Sequence, residues 1–224
     1  MNWTAIWVTC KLASLTSIAL LLIGLPIAYW LAYSKWRWKF VVESIVALPL
    51  VLPPTVLGFY LLVAIGPQSP IGQLYTNLTG STLPFSFQGL LIASILYSLP
   101  FAVQPFATAF EQVDQKLIEA SWTLGLSKLH TFFKLILPLS TAGLITGVVL
   151  SFAHTLGEFG VVLMVGGNIE GVTRTVSIEI YDNVQALDYA GAATTSAFLL
   201  VVSYAVLLLV YAVNRRVWSV WPQK

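Results

Sequence analysis

Long apolar runs separated by short polar connections set the rhythm of this chain. From Leu12 to Tyr33 and from Ala190 to Val213 nearly every position is aliphatic, aromatic or small, and neither run alternates with the period of two that a barrel strand requires. At about 1.5 Å per residue, helices of this length cross a hydrocarbon layer of about 30 Å. Followed along the chain, the pattern predicts five spans, at about 12 to 33, 40 to 65, 87 to 110, 131 to 153 and 189 to 213. Turn chemistry fills the gaps, notably Gly66-Pro67-Gln68-Ser69-Pro70, Asn77 to Pro84 and Gly166-Gly167-Asn168. Between 154 and 188 the apolar piece Phe159 to Val165 is too short to cross. An irregular or re-entrant outer segment buried in protein is therefore expected there, rather than a sixth span that would move Arg215 and Arg216 to the outside.

Composition turns this pattern into a class. Only 9% of the 224 residues are charged and 58% are hydrophobic, and the mean hydropathy of +0.85 excludes a soluble domain. The fold class is an all-α polytopic membrane protein, read as one permease domain over 1 to 224. The first run lacks a small-x-small cleavage site and is read as a permanent span. Orientation follows from the basic residues. Lys35, Arg37 and Lys39, then Lys116, Lys128 and Lys134, then Arg215, Arg216 and Lys224 fall on one side, nine of eleven, leaving Lys11 and Arg174 for the other. The positive-inside rule puts the N-terminus out and the C-terminus in.

Chemistry of other kinds finds little support. Cys10 is the single cysteine, and two histidines with scattered carboxylates make no catalytic or metal constellation. No G-x-x-x-x-G-K-[ST] occurs, so a phosphate-cradling loop of its own is absent and no cofactor is expected in this chain.

The polar island on the cytoplasmic side, about 112 to 130, carries more information. Ile118, Trp122 and Leu126 form one helical row with Leu117 and Leu124 beside it, and Glu111, Asp114, Gln115 and Lys116 gather at the start. The spacing predicts a short amphipathic helix, ended by Gly125 in a left-handed conformation with Leu126 packing just beyond. Ser127 would cap the next helix, and Pro138 would kink it. By spacing alone this could be a helix lying on the lipid interface.

Glu119-Ala120-Ser121, three residues, Gly125, nine residues, Leu135, one residue, Leu137-Pro138 resembles the cytoplasmic signature of ABC importer permeases, usually E-A-A, three, G, nine, I, one, L-P. Ser121 and Leu135 are the departures. The stretch Leu48-Pro49-Leu50-Val51-Leu52-Pro53-Pro54-Thr55-Val56-Leu57-Gly58, and Thr155-Leu156-Gly157-Glu158-Phe159-Gly160 with Gly166-Gly167-Asn168-Ile169, are similar to molybdate permease subunits, with sulfate/thiosulfate and tungstate permeases as near relatives. The resemblance implies a type I ABC importer fold in a bacterial or archaeal cytoplasmic membrane. It implies a coupling helix, with Glu119, Ala120, Ser121, Gly125 and Leu126 at an ATP-binding subunit. It also implies two such subunits holding ATP and magnesium, a second permease copy, and a periplasmic or extracellular substrate-binding protein.

Lipid is the remaining expected partner, and nucleic acid is not one. Five helices hardly enclose an aqueous route, so a homodimer is the economical arrangement. With almost no strong charge in the spans, an oxyanion would meet neutral donors, the candidates being Thr55, Ser94, Ser98, Thr141, Thr146, Ser151, Thr194, Thr195 and Ser196. Helix packing or a bond to the local backbone competes for each of these hydroxyls. Pro49, Pro53 and Pro54 break the second span, and Pro53, Pro54 and Thr55 with Gly157, Glu158, Phe159 and Gly160 are the candidate path and gate. His154 and Glu158 share a face by spacing. Glu43 is expected to pair with the Lys35 to Lys39 cluster, and Asp182 and Asp188 to lie in the outer loop, solvated or facing the binding protein. A gradient-driven carrier or a channel is the competing class, and would be expected to carry internal repeats or buried relays.

Overall fold

The computed structural model describes residues 2 to 218, with side chains through residue 212. The side chains of Arg215 and Arg216, and Lys224, which enter the orientation argument, lie outside it. All regular elements among the described residues are helical.

Helix α1 runs Trp3–Tyr33, nine residues earlier than the predicted start at 12. Asn2 explains the difference: its side chain accepts from the amides of Thr4 and Ala5 at 3.0 and 3.3 Å and caps the helix. Lys11 does not end the helix, because its ammonium sits 4.5 Å from the Phe87 ring centroid while its stem lies along apolar surface.

The second predicted span is two helices. α2 (Lys39–Val51) and α3 (Pro54–Ile65) meet at 115°, a turn far sharper than the kink expected of a single span. Leu52 and Pro53 are both extended, at ψ 135°, because a residue before proline is pushed out of the helical region, and Pro54 then opens α3 at its first position. A short outer helix, α4 (Pro70–Thr79), ends at Gly80 with φ +71°.

Helix α5 (Phe87–Glu111) crosses back despite Pro100 and Pro105. On the cytoplasmic side follow α6 (Gln115–Thr123) and α7 (Lys128–Thr131). A π turn at Phe132–Ile136 leads into α8 (Leu137–Leu139). The chain breaks by 73° before α9 (Thr141–Gly157), so Pro138 is accompanied by a change of direction at Ser140. Three pieces complete the fold: α10 (Gly160–Gly166), α11 (Val176–Gln185) and α12 (Tyr189–Trp218). α1, α5 and α12 are long and apolar enough to cross alone, and up to five crossings result if each bent pair is one span. The longest helix between Gly157 and Tyr189, α11, has ten residues, too few to span.

The core is a three-helix contact of α1, α5 and α9 built around Phe106. Its ring fills notches left by Gly24 on α1 and Gly147 on α9, where an added Cβ would stand 3.3 and 2.5 Å from it. Gly143 and Gly147 form a small-x-x-x-small step that brings α9 close to α5. Ile118 of α6 and Ile136 of the π turn are buried in the same cluster as Phe106 and Phe110, which ties the cytoplasmic helix to the membrane core. Lys39 pairs with Glu43 at 3.4 Å.

Candidate functional site

Two regions carry the predicted residues, one at the outer end of the bundle and one on the cytoplasmic face. At the outer end, α10 lies against α3 and α5, with Val161, Val162 and Val165 fully buried. The approach to α3 is close because two glycines permit it: a Cβ on Gly58 would meet Met164 Cβ at 2.7 Å, and one on Gly160 would meet Pro54 Cβ at 2.6 Å. A cavity of about 630 Å³ opens beside this contact. Pro54, Thr55, Gly157, Glu158, Phe159 and Gly160 all line it, joined by Tyr97, Ala153 and His154. Of the seven gate candidates, Pro53 alone is not in its wall. Residues about 100 positions apart in sequence thus share one chamber.

His154 is fixed in that chamber. It stacks on Phe101 with centroids 3.9 Å apart and hydrogen-bonds Ser98 Oγ through Nδ1 at 2.9 Å, while Ser98 also meets the Thr155 hydroxyl at 3.0 Å. Glu158 sits at the end of α9 in extended geometry and is only 4% exposed. The Ser94 hydroxyl beside it is the polar side chain placed to meet its carboxylate, and no other partner of either group is found among the described residues. Burying such a group with so little polar contact is costly, so the packing of α9, α10 and α5 holds it there.

A second cavity, of about 800 Å³, continues inward between α5, α8 and α9. Phe101 lines it, and the same ring stacks on His154, which lines the outer cavity. Gln104, Thr108, Gln112 and Thr146 give it neutral polar groups, and Asp114, the N-cap of α6, stands at its cytoplasmic end.

The remaining hydroxyl candidates divide by their bonds. Thr141, Ser151 and Thr194 donate to carbonyls of Pro138, Gly147 and Ala190 at 2.7, 2.7 and 2.9 Å, which is the local backbone alternative. Thr146 also donates to Ala142 O, at 2.8 Å, while lining the inner cavity. Thr195 is buried and Ser196 half-buried on α12. Asp188 is exposed and Asp182 half-buried, and besides meeting solvent both hold local structure: Asp182 accepts from Asn168 at 2.6 Å and pairs with Arg174 at 3.6 Å, and Asp188 accepts from the Gly191 amide at 3.0 Å.

On the cytoplasmic face the local sequence determines the local geometry. Asp114 accepts from the Lys116 amide at 2.9 Å and starts α6. Gly125, at φ +87°, closes it: its N–H reaches Trp122 O at 2.9 Å and that of Leu126 reaches Ser121 O at 3.1 Å, the paired bonds of a Schellman end. Ser127 caps α7 by accepting from the His130 amide at 3.3 Å.

Of the five residues assigned to coupling, Glu119, Ala120, Gly125 and Leu126 are exposed. Ser121 is not. Its hydroxyl donates to Ile118 O at 2.6 Å and meets Thr131 Oγ1 at 2.8 Å, so it ties α6 to α7 and faces inward, away from any partner surface. Leu124, 83% exposed, and Leu129, 67% exposed, are apolar positions that sequence reasoning did not assign to a docking surface. Their exposure between two capped helix ends is the signal that marks them.

Comparison with known proteins identifies the family. Residues 24–219 match the family described as binding-protein-dependent transport system inner membrane component. The molybdenum transport system permease protein ModB of Azotobacter vinelandii is 52% identical over 94% of this chain and 93% of its own. The protein of that name from Escherichia coli (strain K12) is 36% identical over 93% and 90%. Among solved structures, the MetNI methionine ABC transporter in an inward-facing form aligns with TM-score 0.70 at 19% identity, covering 95% of this chain and 94% of that one. With most of its length matched, the chain belongs to the family of inner membrane components of binding-protein-dependent transport systems, multi-pass proteins of the cytoplasmic membrane.

Proposed function

We propose that this chain is the membrane subunit of an ATP-driven importer that carries molybdate inward as a pair of identical copies. Two ATP-binding subunits on the cytoplasmic side would supply ATP and magnesium, and a substrate-binding protein would deliver the anion from outside. The substrate assignment is supported by relatives named as molybdenum permeases that align along almost the whole chain.

The observation that carries the mechanism is α6. It offers Glu119, Ala120 and Gly125 to the outside, while Ile118 on its inner side is packed with Phe106 and Phe110 of α5. A push on α6 is therefore a push on α5, the helix whose Tyr97 lines the outer cavity and whose Phe101 and Gln104 line the inner one. Neutral amides and hydroxyls along that route would hold a dianion weakly enough to release it. Glu158 serves the outer gate structurally, since a carboxylate is a poor ligand for an anion.

The test is Glu119→Lys in the assembled transporter. ATP-dependent molybdate uptake into proteoliposomes falls at least about tenfold, the size of a lost charge-assisted contact at a buried interface, while the permease still inserts and runs as a dimer. Uptake at the wild-type rate, or uptake by vesicles lacking the ATP-binding subunit, would sink the coupling. Competition with tungstate and sulfate in the same assay decides the substrate, with molybdate expected to be the strongest competitor.

A further inference from the structure

A third cavity, of about 840 Å³, opens on the cytoplasmic side between the end of α1 and the α6–α7 turn. One wall contributes Trp30, Ser34 and Lys35, and the other Trp122 and Lys128. Neither lysine has an acidic partner, for the ion pairs among the described residues are Lys39 with Glu43 and Arg174 with Asp182. Glu119, the carboxylate in the wall, accepts from Gln115 at 3.4 Å. Two cations against one carboxylate leave the cavity positive. Trp30 and Trp122 are 39% and 41% exposed, and Trp30 contacts Trp36 with ring centroids 5.9 Å apart. This cluster of indoles lies where α1 leaves the membrane, the depth at which tryptophan meets lipid headgroups.

We propose that this cavity holds the phosphate headgroup of an inner-leaflet anionic phospholipid, with Lys35 and Lys128 on the phosphate and Trp30 and Trp122 beside the glycerol. Lysine is a compact charge suited to phosphate, and basic pockets between membrane helices on the cytoplasmic side take anionic headgroups. A segment of the ATP-binding subunit fits less well. Of the residues assigned to coupling Glu119 alone lines this wall, the most exposed apolar side chain of the turn, Leu124, does not, and α1 contributes the membrane boundary itself. The consequence is a lipid clamp: the bound headgroup bridges the end of α1 to α6, so the coupling helix is seated on the bilayer. This rests on the cytoplasmic placement of α6 in the functional reading.

The experiment uses the full transporter, and in parallel the permease alone, in nanodiscs of phosphatidylcholine with or without phosphatidylglycerol. Native mass spectrometry counts the phosphatidylglycerol retained. Removal of each charge in Lys35→Ala and Lys128→Ala is expected to lower retention about fivefold, with the ATP-binding subunit still bound. Lys35→Arg with Lys128→Arg restores it, which separates lost charge from lost folding. Excess inorganic phosphate is expected to leave the lipid in place, whereas displacement by it would make the site one for a free anion. Unchanged retention in the alanine variants overturns the proposal, as does loss of the ATP-binding subunit with the lipid kept. The permease-alone arm reads the lipid whether or not Glu119 proves to be a coupling residue.

Discussion

Gly125 and Ser121 stand four positions apart in one signature and do different work. At φ +87° with nothing within 4 Å of an added Cβ, Gly125 is required for its backbone and not for space. Gly125→Ala is expected to cost about 1–2 kcal/mol of left-handed strain, seen as faster amide exchange at Leu126 and weaker ATPase stimulation, without loss of insertion. Ser121→Ala should remove about 1 kcal/mol of hydrogen bonding between α6 and α7 and leave ATPase stimulation near wild type, because Ser121 does not reach the surface. Equal damage from both substitutions would contradict that division. The glycine end and the Ser127 cap were legible in the sequence because each is decided within a few residues. The inward direction of Ser121 was not, since it depends on Thr131 reaching back from the next helix.

Among the elements, the contact of α3 with α10 sets the width of the outer chamber. Neither helix could approach as it does if Gly58 or Gly160 carried a side chain. Gly160→Ala is expected to wedge α10 from Pro54 and to lower molybdate uptake severalfold, while the α6-dependent assembly with the ATP-binding subunit persists; normal uptake would remove α10 from the gate. Two adjacent prolines announced that the second apolar run breaks. The angle of 115° could not be read there, because α3 packs against α10, more than a hundred residues later. The same holds for Glu158: the spacing put it on a helix face with His154, but α9 ends at Gly157 and Glu158 is extended, and its burial beside Ser94 needed the packing of α5.

For the whole molecule, orientation is the property that composition predicts most directly and that accessibility can check. With Cys10 replaced by alanine, a membrane-impermeant maleimide applied to intact cells should label Ser81→Cys and spare Ser127→Cys, both positions being exposed, and the preference should reverse in inside-out vesicles. Labelling of both from one side would refute the N-out arrangement. The long apolar helices α1, α5 and α12 were legible because bilayer thickness fixes helix length, whereas the early start of α1 was hidden by Lys11, a charge the helix accommodates on Phe87. That helix also bears on how the protein is made. α1 packs chiefly on α5 and α9, which emerge from the ribosome later, at about 5–20 residues per second, so it must wait in lipid for its neighbours. Thr9 and Ser17 donate to Ala5 and Ala13 within their own helix at 2.8 Å. These two polar side chains are already satisfied while α1 is alone, so neither depends on α5 or α9 for a partner while the helix waits in lipid.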